Sequence, residues 1–103
     1  MKRGELVLGP FQGNVACVRI TLDRGVCGAS ASRRETIVVP DVDAFPGHIA
    51  CDGGTKSEIV VPIVRDSQGV AVLDLDSYQL AAFDDVDARG LAPIAALLAK
   101  LAW

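Results

Sequence analysis

The amino-acid sequence predicts an α+β fold with a mostly antiparallel sheet flanked by helices. Short apolar runs that end at Gly- or Pro-containing turns occupy most of the chain, which is typical of strands. A single longer segment with helical spacing follows them near the C-terminus, so few βαβ crossovers are expected. Half of the 103 residues are apolar but only 5% are aromatic, which indicates a modest core of aliphatic side chains. We expect one domain that spans residues 1–103.

The predicted strands are short, and most of them end at glycine, proline or aspartate. They cover residues 5–8, 14–22, 36–39, 58–64 and 70–75. The small residues of segment 25–31 predict a tight turn into a short helix, because glycine allows a backbone to approach a ligand closely. Segment 45–54 contains glycine and proline and is predicted to be a loop.

The C-terminal helix is predicted to begin near Asp84. Asp87 follows three residues later, in the manner of a capping box. We expect Pro93 to kink this helix, because proline removes a helical hydrogen bond. Its apolar residues at helical spacing are Leu91, Ile94, Leu98 and Leu101.

The charge of the chain argues against two classes of partner. A net charge of −3 and a pI near 4.9 disfavour binding to nucleic acid or to an anionic membrane.

The charged N-terminus has no apolar segment behind it, so no signal peptide is predicted. The longest uncharged run near the C-terminus, residues 90–99, is far shorter than the ~20 residues of a membrane span. We therefore expect a cytoplasmic protein whose thiols are reduced.

The three cysteines are not expected to form a disulfide scaffold, since their number is odd. Cys17, on an alternating strand, is most typical of a small buried side chain. Cys51 lies in the 45–54 loop near His48, where a thiolate could be stabilised. His48 itself is compatible with a general base or with a residue that only orders its loop. A zinc site from these residues and Cys27 is disfavoured because the chain has no Cys-x-x-Cys pair, so no metal is predicted.

Carboxylates occur inside the last two apolar runs, although Asp and Glu are rare in strands. On a strand, Asp74 and Asp76 point to the same face, ~7 Å apart. Glu58, on the neighbouring run, could complete a trio. Crowded carboxylates in a partly dry cleft raise at least one pKa, which allows a carboxylic acid to donate a proton at neutral pH. The alternative is that Asp76 and Ser77 begin an exit turn and that all three acids face water.

Six motifs occur in order along residues 5–91. They are GPFQG at 9–13, ACVRI at 16–20, GVCG at 25–28, FPGHIACD at 45–52, SEIVVP at 57–62 and LDLDS at 73–77. Together they resemble the free methionine-(R)-sulfoxide reductases, which are cytoplasmic enzymes with a GAF domain. The motifs contain every cysteine of the chain, the histidine and all three acids discussed above.

This resemblance implies a GAF-like domain that is truncated at its N-terminus. The family has an N-terminal helix and an aromatic-rich strand ahead of the position where this chain begins. Loss of that strand predicts a homodimer, because an isologous contact could cover the exposed surface, and it predicts weak or no reductase activity. The resemblance further implies that Cys51 is the attacking cysteine and that Cys17 forms a disulfide with it. Cys27 would lie near both and would relay between them or substitute for Cys17.

The resemblance also implies that Glu58, Asp74 and Asp76 line the pocket for free methionine-(R)-sulfoxide. Asp76 and Glu58 are favoured at the sulfoxide oxygen, and Asp74 is favoured at the α-ammonium. The implied reaction yields L-methionine through a cysteine sulfenic acid and an intramolecular disulfide, which thioredoxin reduces, and no cofactor is needed. The alternative is a non-catalytic GAF module that binds a small ligand.

Overall fold

The computed structural model describes residues 5–10, 12–13, 19–22, 24–47 and 54–101. Within them the chain forms a two-stranded sheet of β1 and β2 and a three-stranded sheet in the order β3-β4-β5, both antiparallel. This arrangement confirms the predicted α+β fold. The elements are β1 (Glu5–Val7), β2 (Arg19–Thr21), α1 (Gly25–Arg33), β3 (Ile37–Val39), a 3₁₀ turn (Val42–Ala44), β4 (Ser57–Arg65), β5 (Gln68–Ser77) and α2 (Asp85–Leu98).

Strands β4 and β5 form a long hairpin that carries the predicted acids. Its two turn residues, Asp66 and Ser67, both have positive φ angles (52° and 65°), which matches the twist of the flanking strands. Strand β5 continues to Ser77. The alternative in which Asp76 begins an exit turn is therefore wrong.

The two helices contact opposite faces of the three-stranded sheet. Alternate residues of β4 point to opposite faces, so Ile59 packs in one apolar cluster with α2 and Val60 in another with α1. Both side chains are fully buried. Glu58, two residues before Val60, consequently lies on the face covered by α1.

Helix α1 lies very close to β2. A Cβ atom at Gly28 would lie 2.7 Å from the backbone oxygen of Thr21, so only glycine fits there without a shift. The helix ends at Arg33 and is capped by Arg34, which adopts the left-handed conformation (φ 54°) and donates its backbone N–H to the Ser30 carbonyl. The predicted short helix is confirmed and extends to Arg33. The buried side of α1 packs in one apolar cluster with Val60 of β4.

The N-terminus of α2 carries the predicted capping box. The Asp84 carboxylate accepts hydrogen bonds from the backbone N–H of Val86 (2.9 Å) and of Asp87 (3.3 Å), and Asp87 accepts one from the Asp84 N–H (2.9 Å). The helix continues through Pro93 to Leu98. No helix in the described parts of the chain is long and apolar enough to cross a membrane.

The apolar face predicted for α2 is partly wrong. Leu91 and Leu98 pack toward the sheet, but Ile94 and Leu101 are exposed (46% and 52%). Ala95, between the two leucines, is buried instead. Ile94 lies at the margin of the stripe formed by Leu91, Ala95 and Leu98, and Leu101 lies beyond the end of the helix.

Candidate functional site

Most of the predicted site residues lie in the described part of the chain. Those described are Cys27, Glu58, Asp74 and Asp76. Cys17, His48 and Cys51 lie outside the described residues, so their roles stay predictions.

The register of the β4–β5 hairpin brings the three acids together. Glu58 pairs directly with Asp76, and Asp74 lies two residues away along the same strand. Directly opposed and diagonal residues of antiparallel strands share a face. The predicted proximity of the three carboxyl groups is therefore confirmed.

The three acids differ in exposure to solvent. Glu58 is buried (5% exposed), whereas Asp74 and Asp76 are exposed. The alternative in which all three acids face water is wrong for Glu58 and right for the two aspartates. The site thus has a buried carboxyl group at its base and two carboxyl groups at its rim.

Burial controls the protonation of Glu58. It raises the pKa of this carboxyl to about 11, assisted by hydrogen bonding to Asp74 and by the negative charges of Asp74 and Asp76. Ionisation would leave a buried charge beside two other carboxylates. Glu58 is therefore a neutral acid at physiological pH and can donate a proton.

Cys27, the third residue of α1, lies above this acid. Its thiol Sγ is 3.9 Å from Glu58 Oε2 and donates a hydrogen bond to it. Cys27 is a free, buried cysteine. Burial raises the pKa of the thiol well above its ordinary value, and the nearby carboxyl groups of Asp74 and Glu58 raise it further. Cys27 is therefore a thiol rather than a thiolate at neutral pH, which makes it a poor attacking group in this conformation.

Ser57 holds the end of the strand that carries Asp76, and sequence reasoning missed it. Its side chain is fully buried. The hydroxyl donates to the Gln79 carbonyl (2.6 Å) and accepts from the Ala82 N–H (3.3 Å). These bonds attach the segment after β5 to the start of β4. The only signal in the sequence is a small hydroxyl residue beside an acid, which is too common to be specific.

A separate pocket of about 230 Å³ lies on the opposite side of α1. Gly25, Ala29 and Arg33 recur every four residues and line it along one stripe of the helix, away from Cys27. Its other lining residues are Arg24, Phe45, Pro46 and Gly47. The pocket contains none of the three acids.

The chain is similar to proteins of known sequence and structure. The sequence profile of the GAF domain matches residues 2–101. The free methionine-R-sulfoxide reductase of Saccharomyces cerevisiae is 54% identical over 100 residues, covering 96% of this chain and 56% of the yeast protein. The enzyme of the same name from Escherichia coli K12 is 50% identical over 96 residues, covering 93% of this chain and 58% of that protein.

A solved structure shows the same likeness in three dimensions. The X-ray structure of free methionine-R-sulfoxide reductase from Neisseria meningitidis, in complex with its substrate, superposes with a TM-score of 0.92 at 52% identity. The match covers 94% of this chain and 58% of that one. The chain thus spans a little more than half the length of each of these relatives. Because the profile covers nearly every residue and the folds superpose closely, the chain belongs to the GAF domain family.

Proposed function

We propose that this chain is an oxidoreductase that reduces free L-methionine (R)-sulfoxide to L-methionine. The observation that carries the proposal is the buried, neutral Glu58 between Cys27 and the two exposed aspartates. A protonated acid at the base of an acidic site suits a substrate that must gain a proton on its sulfoxide oxygen. The names of relatives about half identical to this chain agree with that reaction.

The acids would share the work of binding and proton transfer. Glu58, assisted by Asp76, donates a proton to the sulfoxide oxygen as it is transferred. Asp74, at the exposed rim, binds the α-ammonium group of the free amino acid. A methionine sulfoxide residue inside a peptide has no α-ammonium group, so this contact would favour the free amino acid.

The cysteines would carry the two electrons. The Cys51 thiolate attacks the sulfoxide sulfur, and methionine leaves while Cys51 becomes a sulfenic acid that retains the oxygen. The Cys17 thiol then condenses with the sulfenic acid, which releases water and forms a Cys51–Cys17 disulfide. The dithiol of thioredoxin reduces this disulfide by exchange. Cys27, a buried thiol beside Glu58, substitutes for Cys17 only slowly because its thiolate is disfavoured.

The cellular setting belongs to the same proposal. A thioredoxin-dependent cycle requires a reducing compartment, which suits the cytoplasm.

We include a homodimer in the proposal because several large apolar side chains on α2 and before it are exposed. They include Leu80 (61%), Val86 (64%) and Leu97 (63%).

The direct test is NADPH oxidation coupled through thioredoxin reductase and thioredoxin, with free methionine-(R)-sulfoxide as substrate. We expect slow turnover by the wild-type chain, none by Cys51→Ser, and a kcat at least about 100-fold lower than that of the wild type for Glu58→Gln. Glu35→Gln, at an exposed acid outside the site, is the matched control and should retain full activity. Full activity in Glu58→Gln would refute its role as the acid.

A second candidate is a non-catalytic module that binds a small anion. It is favoured by the pocket beside Arg24 and Arg33, two guanidinium groups that suit a carboxylate or phosphate. Isothermal titration calorimetry with inorganic phosphate separates the two candidates. Binding that is lost in Arg33→Gln, in a protein without sulfoxide turnover, would favour the module over the reductase.

A further inference from the structure

The three donor groups of Cys27, Glu58 and Asp74 are close enough to share one cation. The thiol sulfur and one carboxylate oxygen of each acid all lie within 4.8 Å of one another. The ligand atoms of a tetrahedral zinc site, with Zn–S and Zn–O bonds of ~2.3 and ~2.1 Å, are roughly 3.5 Å apart. The Cys27–Glu58 pair, at 3.9 Å, is already near this separation. The other donor atoms must move closer to one another by about 1 Å. Asp74 can make this movement because its side chain lies at the exposed rim.

The position of the donors favours a specific class of cation. Each comes from a different element: Cys27 from α1, Glu58 from β4 and Asp74 from β5. Packing holds the two buried donors, while the exposed third donor provides an entry path and leaves a coordination position for water. A set of one thiolate and two carboxylates suits Zn²⁺ or Cd²⁺, whereas Mg²⁺ and Ca²⁺ require oxygen alone. The metal displaces the protons that Cys27 and Glu58 hold in the free protein, so binding should strengthen as the pH rises.

We propose that Cys27, Glu58 and Asp74 form a binding site for a thiophilic divalent cation, Zn²⁺ or Cd²⁺. This site differs from the zinc site considered from the sequence, with which it shares only Cys27. Bound metal occupies the two acids assigned above to the sulfoxide oxygen and the α-ammonium, so it excludes the substrate. That consequence rests on the proposed function, but metal binding itself does not.

The test is a Cd²⁺ titration of the Cys17→Ser/Cys51→Ser variant, in which Cys27 is the remaining thiol of the chain. Thiolate-to-Cd²⁺ charge transfer absorbs in the ultraviolet and reports the Cd–S bond directly. We expect the band to saturate at one Cd²⁺ per chain. Adding Asp74→Asn should weaken binding at least about tenfold, because one of three ligands is lost.

The matched control in the same background is Asp66→Asn, which changes an exposed acid at the distant hairpin turn. It should leave the affinity for Cd²⁺ unchanged. Absence of the band, or equal affinities in the Asp74 and Asp66 variants, would overturn the metal site.

The outcome for the metal site is separable from that for the reductase. Asp74-dependent Cd²⁺ binding in a chain without sulfoxide turnover would support the metal site and refute the reductase proposal. An active reductase whose Cd²⁺ band is absent or independent of Asp74 would refute the metal site alone. In an active enzyme we expect Zn²⁺ to inhibit competitively with free methionine sulfoxide, and inhibition independent of substrate concentration would contradict the shared site.

Discussion

Glu58 pairs directly with Asp76 across the β4–β5 hairpin, yet the Glu58 side chain is buried and that of Asp76 is exposed. Two acids in adjacent positions therefore occupy different environments. When two neighbouring acids have different pKa values because their environments differ, one can act as an acid while the other is ionised. Strand β4 lies between β3 and β5, and the Cys27 thiol of α1 contacts Glu58, so Glu58 is enclosed by more neighbouring elements than Asp76.

The stability of the protein should depend on pH through Glu58. Its pKa is raised to about 11 in the folded state, so the folded state holds a proton that the unfolded state releases above about pH 4.5. The stabilisation is complete below the unfolded pKa and is lost as pH rises toward 11, with a slope of at most about 1.4 kcal/mol per pH unit. Glu58→Gln removes this slope, because glutamine does not titrate.

Urea unfolding at about pH 6 and about pH 9 measures the effect. We expect the free energy of unfolding to fall more between these two pH values in the wild type than in Glu58→Gln. Glu35→Gln, at an exposed acid, should behave as the wild type. Equal losses in wild type and Glu58→Gln would mean that Glu58 is not neutral in the folded protein.

Selectivity for the free amino acid should depend on Asp74. If its carboxylate binds the α-ammonium, N-acetylation of the substrate removes a charge-assisted contact of about 1.5–3 kcal/mol, or roughly 10- to 150-fold in kcat/KM. Asp74→Asn should lower kcat/KM for free methionine sulfoxide while changing that for the acetylated compound little. Comparable rates for the two substrates in the wild-type protein would show that Asp74 does not recognise the ammonium.

Cys27 should react slowly with alkylating reagents. Its burial and its raised pKa suppress the thiolate, which is the reactive form. Peptide mapping by mass spectrometry after a timed iodoacetamide pulse should show labelling of Cys27 at least about tenfold slower in the folded than in the urea-unfolded protein. Equal labelling in the two states would contradict a protected thiol.

The contact between α1 and β2 should tolerate no side chain at Gly28. Gly28→Ala places a Cβ atom 2.7 Å from the Thr21 carbonyl oxygen, so we expect a loss of about 1–3 kcal/mol in the free energy of unfolding. Gly90→Ala is the matched control, since it lies within α2 with no atom within 4 Å of an added Cβ. It should instead stabilise by about 0.5–1 kcal/mol through helix propensity. Similar effects of the two substitutions, by urea unfolding, would contradict the close approach.

Local features of the structure follow directly from the sequence. The capping box of Asp84 and Asp87, the short helix at Gly25 and the shared face of Asp74 and Asp76 were all predicted from residue type and spacing. Each of these depends on residues a few positions apart, whose geometry is set by the backbone of a single element. The family could be predicted as well, because its motifs are carried by consecutive residues.

The tertiary structure alone decided which side chains are buried and which residues of different elements come into contact. Spacing places Glu58 on one face of a strand, but only its position between β3 and β5 and against α1 makes it buried and brings Cys27 within 3.9 Å. In the same way, periodicity gave α2 an apolar side that included Ile94, whereas packing against the sheet selected the stripe around Ala95. The physical reason is that periodicity determines the side of an element on which a residue lies, while burial, pKa and metal-binding geometry depend on what a distant segment places over that side.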